Sequence, residues 1–152
     1  MKTFARDECR DEIVRRLRAM RADSARRWGT MTPHQMIRHC TDACRMACGE
    51  VAPGDISTGM TRSVIKWVAL YAPMPWPTGI QTVAEFDQRT AAAPTGDFDA
   101  DVATLEVLLG QIRCRDAGAP WPHHPIFGRM SQRAWLRWAY LHMDHHLRQF
   151  GA

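Results

Sequence analysis

Two histidines four residues apart, His142 and His146, stand in the apolar stripe of the last helical stretch, Ser131 to Phe150. Successive helical residues are rotated by roughly 100°. On that wheel Trp135, Trp138, Ala139, His142, His146, Gln149 and Phe150 share one sector, and Arg133, Arg137, Asp144 and Arg148 lie opposite. The two imidazoles therefore point where a core is expected. A buried polar group without a partner costs about 1–3 kcal/mol, and a metal ion between the two rings satisfies both at once. Side chains at this spacing converge on a point between them. The donor type suits a divalent transition metal, with zinc or nickel first and iron or manganese next.

Two nitrogens make a weak site, so a third ligand must come from another element, and His39 is the candidate. In its helix Met36, Cys40, Ala43, Cys44, Met46 and Ala47 define the apolar side, and His34, Arg38, Thr41 and Arg45 the polar side. His39 lies beside Ala43 and Met46 at the edge of the apolar sector, whereas His34 lies well outside it. Three histidines around an open position form the usual pattern of a catalytic or substrate-binding metal. The competing reading makes each of them a core histidine bonded to a carbonyl or carboxylate. His145 is placed at the rim near Trp138, and Asp42 is positioned to orient an imidazole N–H. Cys40 is turned about 100° from His39 on the wheel and is left out of the site. No general base can be named: Tyr140 and Arg148 fall away from the stripe, toward solvent or a partner.

These side chains need long helices to position them. The first is expected from about Asp7 to Met20, acidic at its start and basic later, as the helix dipole prefers. The second opens at Thr32-Pro33, an N-cap followed by a first-turn proline, and stops at Gly49. A short helix is read over Thr61 to Tyr71. An irregular stretch with three prolines around Trp76 follows and continues toward Gly96, a length typical of functional lids or connectors. The third long helix runs from Asp97 to about Arg115, burying Phe98, Val102, Leu105, Leu108, Leu109 and Ile112. A second proline-rich loop, Gly118 to Gly128, leads to the last helix with Ser131 as its N-cap. The reading is all-α: a single domain, residues 1–152, built as an antiparallel four-helix bundle with long irregular loops and a pocket at one end. Trp76, Trp121 and Phe127 are expected to wall that pocket.

The 152 residues, 45% of them hydrophobic, suffice for one compact core. No apolar run approaches the roughly 18 residues of a membrane span, and the N-terminus turns charged too early for a secretory signal, so a cytoplasmic location is expected. Five cysteines without a Cys-x-x-Cys spacing agree with that, and Cys40, Cys44 and Cys48 read as small buried hydrophobes. The net charge of +4 arises largely from arginines crowding the first helix. Interleaved acidic residues make this a solvated face rather than a nucleic-acid footprint.

The segments Ile37-Arg38-His39-Cys40-Thr41-Asp42 and Leu141-His142-Met143-Asp144-His145-His146-Leu147 resemble the histidine motifs of the DinB-like superfamily (DinB/YfiT type) of metal-binding four-helix bundles. His124-Pro125-Ile126-Phe127-Gly128, with the ending Asp144-His145-His146-Leu147-Arg148-Gln149-Phe150, is similar to an uncharacterised branch of it. The resemblance implies a divalent metal on His39, His142 and His146, with water or substrate in the open position, and often a homodimer. In some relatives the metal binds a low-molecular-weight thiol as the thiolate. The expected function is a metal-dependent enzyme acting on a small molecule by thiol-dependent group transfer or hydrolysis. The alternative is a non-catalytic, metal-stabilised helical binding module.

Overall fold

The structure is a computed structural model that describes residues 1–79, 84–88, 96–115 and 118–152. Its α-helices are α1 (Asp7–Arg18), α2 (Pro33–Cys48), α3 (Lys66–Tyr71), α4 (Phe98–Cys114) and α5 (Gln132–Gln149). No strand occurs among the described residues. A wide π-turn, Thr61–Ile65, runs into α3, and a single 3-10 turn, Ala84–Phe86, lies within the long irregular stretch. Much of the rest of that stretch, residues 80–83 and 89–95, lies outside the described residues.

Local chemistry explains the long helices. Thr32 accepts the Gln35 N–H at 3.1 Å while Gln35 returns its side-chain oxygen to the Thr32 N–H at 2.9 Å, a reciprocal cap that satisfies two otherwise orphaned donors at the start of α2. Gly49, at φ 82°, closes that helix in the left-handed conformation. Asp97 caps α4 and Ser131 caps α5. On α4 the expected apolar residues are buried, except Val102, which packs partly buried against the core.

Helices α1 and α2 each pack against both α4 and α5, and α3 packs on α5. The core between them holds Ile13, Leu17, Met36, Ile37, Leu105, Leu109, Trp135, Met143 and Leu147, all sealed from solvent. With neighbours on several sides, α5 has more than one buried face. Tyr140, expected to face solvent or a partner, is instead buried with its ring edge-on to Phe4, because the side of α5 away from the histidine stripe meets α1 and the N-terminal residues. Asp144, on the same side, pairs with Arg16 at 2.7 Å, and Arg16 also donates to the Ala152 carbonyl at 2.9 Å. Arg148 remains half-exposed. Thr41, placed on the polar side of α2, is buried with its hydroxyl donating to the Ile37 carbonyl.

Three arginines of α1 have acidic partners. Arg16 also lies near Glu12, Arg18 bonds Glu106 at 2.9 Å, and Arg10 faces Asp11. These pairs offset part of the positive charge of α1. No described helix is long and apolar enough to cross a membrane.

Candidate metal centre

α2 and α5 bring His39, His142 and His146 together. One ring nitrogen of each lies within 4.8 Å of those of the other two. His39 Nε2 faces His142 Nε2 at 3.2 Å, and the His146 ring stands edge-on to both neighbours, 4.8 Å from His39 and 4.7 Å from His142. An ion bound about 2.1 Å from each nitrogen needs them within about 4.2 Å of one another. At the outer limit of the observed span the rings would draw in by about half an ångström.

The outer ring nitrogens decide which atoms face inward. His39 Nδ1 donates to the Phe86 carbonyl at 2.9 Å, leaving Nε2 as a lone pair. Gln149 donates its amide N–H to the Trp28 carbonyl at 3.0 Å, which turns its oxygen toward His146 Nδ1 at 3.2 Å. His146 Nδ1 therefore carries the proton, and its Nε2 lone pair is free for an ion. Such outer hydrogen bonds orient metal-binding imidazoles and raise their basicity. Burial pushes the pKa of all three rings below the ordinary histidine value. Their mutual repulsion when charged adds to this for His142 and His146. The rings are thus neutral, the form that ligates a metal. Two buried nitrogen lone pairs converging on a third imidazole fit a divalent ion, and the three histidines can hold one.

The surroundings hold the rings in place. Trp138 stacks on His142 at 4.8 Å and 13°. Trp76, anchored by its indole N–H to the Ala69 carbonyl, faces His142 and His145. A cavity of about 490 Å³ opens beside the cluster, lined by Trp76 and Phe127 as expected. Trp121 is not on that wall: it stacks on Trp135, with the Arg115 guanidinium over its ring, because the 118–128 loop folds it behind the last helix. His145 lines the cavity next to His146, facing Trp28 and Trp76 rather than Trp138.

Asp42 does not orient a histidine. It accepts a hydrogen bond from Gln88 at 2.7 Å, and the turn at residues 84–86 supplies a carbonyl to His39 instead. His34 pairs with Asp101, away from the cluster. Cys40 and Cys44 are wholly buried, and burial pushes their thiols up, away from ligation.

Sequence reasoning left two residues without a role. Gln149 stood on the histidine stripe, where a polar side chain at i+3 from His146 was itself a signal. His124 is sealed in the cavity wall. Its Nδ1 accepts the N–H groups of Ile126 at 3.1 Å and Phe127 at 3.2 Å, so the proton sits on Nε2. Burial lowers its pKa to about 3, and it stacks on Phe127.

The sequence from residue 6 to residue 152 matches the family described as "Protein of unknown function (DUF1569)". The chain belongs to the DUF1569 family. DUF1569 is a DinB-like family, in keeping with the resemblance carried by the histidine motifs. No curated protein matches the chain. No solved structure matches it either.

Proposed function

We propose that this DUF1569 protein is a divalent-metal-dependent enzyme acting on a small molecule, with His39, His142 and His146 as the metal ligands. The observation that carries this reading is three neutral imidazoles, two of them anchored through their outer nitrogens, converging beside a cavity large enough for a substrate. A purely structural ion is normally enclosed by four protein ligands. Among the described residues only three gather here, and the cavity lies next to them.

A bound zinc or nickel ion would supply Lewis acidity and lower the pKa of a water or thiol in its open position. The chain's own residues do the rest. His39 and His146 are held by Phe86 and Gln149, Trp138 fixes the plane of His142, and the tryptophans at 76 and 138 exclude bulk water from one side. Thiol-dependent transfer and hydrolysis both fit such a site, with a low-molecular-weight thiol as one candidate ligand.

The wider reading is a single antiparallel four-helix-bundle domain. Its support is the packing of α1 and α2 each on both α4 and α5. The five unpaired cysteines favour a reducing, cytoplasmic setting, and the exposed apolar residues of α3 suit a homodimer.

The test is metal content by plasma mass spectrometry of tag-free protein beside His142→Ala. About one equivalent of a transition metal, lost in the variant while the helical circular dichroism is kept, supports the site. Full occupancy in the variant, or no uptake after incubation with zinc, nickel, iron and manganese, overturns it.

A further inference from the structure

The cavity is chemically one-sided. At its inner end lie the histidines; its walls are tryptophan, methionine, proline, phenylalanine and branched aliphatic side chains. No lysine or arginine is among the described residues that line it, and Asp87 is the sole carboxylate among them. Toward the mouth stand Val64, Ile65 and Val68, from the π-turn and α3, and Met74 from the following loop. All four are exposed, Val64 and Met74 by 64% each. Trp67 and Tyr71 of α3 are exposed as well but do not line the cavity, so Val64, Ile65, Val68 and Met74 are the part of this apolar surface that a ligand would meet.

We propose that the cavity selects an uncharged, predominantly apolar small molecule whose single metal-directed donor sits at one end, and that it discriminates against ligands carrying an anionic group on their body. This deepens, and rests on, the reading of the histidines as a metal site. A charge moved from water into an apolar cavity needs a partner to offset its lost hydration. Among the described residues only the metal end would offer one to an anion, and a donor atom such as a thiolate formed in place would already use it. A sulfonate, phosphate or carboxylate on the rest of the ligand would lie against tryptophan and aliphatic surface with no cation beside it. An aromatic or aliphatic body instead gains from leaving water, and about 490 Å³ lies within the usual range for such ligands.

The test uses the cobalt-loaded protein and two thiols, phenylmethanethiol and 2-sulfanylethanesulfonate, read by the thiolate-to-cobalt charge-transfer band. Wild type is expected to bind the apolar thiol at least about tenfold more tightly. Val68→Arg, at a position 43% exposed and therefore safe for folding, is expected to shrink that preference about tenfold by placing a cation at the mouth. Equal or tighter binding of the sulfonate by wild type, or an unchanged ratio in Val68→Arg, overturns the proposal. If cobalt is not taken up, the metal reading falls and the selectivity is read separately. Metal-free protein is then titrated with toluene and with benzenesulfonate, following the Trp76 and Trp138 indole signals by NMR. Shifts with toluene alone support apolar selectivity. No shift with toluene, or equal shifts with both, defeats it.

Discussion

His39 Nε2 and His142 Nε2 face each other at 3.2 Å across the junction of α2 and α5, although the residues are 103 positions apart in the chain. The His39 proton is committed to the Phe86 carbonyl on the far side of its ring. The inner nitrogen of His39 is therefore an acceptor, and a cation between the rings would be held by it without His39 changing tautomer. Removing a bound ion is expected to lower the melting temperature by several degrees without unfolding the chain, since the apolar core draws on all the long helices. Thermal scans with and without a chelator check this; unfolding on chelation would instead mark a structural metal.

Gln149 holds His146 through its side-chain oxygen. Gln149→Leu removes that acceptor and is expected to weaken metal binding by about 10- to 100-fold. Gln149→Glu keeps an acceptor there and should retain most of the affinity. Competition with a chromogenic chelator measures both.

Gly29 makes room for that glutamine. Its φ is +77°, and a Cβ added there would lie 2.5 Å from Gln149 Nε2. Gly29→Ala therefore strains the backbone and displaces the side chain that orients His146. We expect a stability loss of about 1–3 kcal/mol together with weaker metal binding. Urea unfolding and metal competition on the same variant test the two effects, and a change in stability alone would show that Gln149 readjusts.

Acid is expected to destabilise the protein in a defined window. His124 titrates near 6.5 when unfolded but near 3 in the folded chain, because burial disfavours its charge. Between those values the unfolded chain binds a proton that the folded chain does not. Its contribution to stability is thus present above pH 6.5, falls as the pH drops through the window, and levels off below about 3. At pH 5 the loss from His124 alone is about 2 kcal/mol, and the depressed pKa values of His39, His142 and His146 act in the same direction. Urea midpoints between pH 7 and pH 4.5 give the slope, with ring-carbon NMR shifts to show that His124 stays neutral.

The Arg16–Asp144 pair joins α1 to α5 with both side chains largely shielded. Arg16→Ala leaves Asp144 without its closest cation and is expected to cost about 2 kcal/mol while metal content stays unchanged. Chemical denaturation and metal analysis of one preparation check this.

Much of this arrangement was legible in the sequence because it depends on local rules. Thr32, Asp97 and Ser131 announce helix starts, and the His142/His146 spacing places two rings on one face whatever the tertiary structure. His39 could be read from the apolar sector of α2. The carbonyl that fixes His39 could not, since it is a backbone atom of a short turn within an irregular segment, with no side-chain signature. Tyr140 was misread because a helical wheel separates one buried face from one exposed face, whereas α5 meets α1, α2 and α3. Trp121 was assigned by residue type alone, and only the path of the 118–128 loop decides that it stacks on Trp135.

The π-turn at Thr61–Ile65 has a consequence for how this protein can change over generations. A π-turn holds one residue more than an ordinary helical turn. Losing a single residue there would let the segment relax into a regular helix while the residues on either side kept their register. Val64 and Ile65 would be re-aimed while every histidine kept its place. A one-codon deletion could thus retune what the cavity admits, separating the evolution of ligand choice from that of the metal ligands.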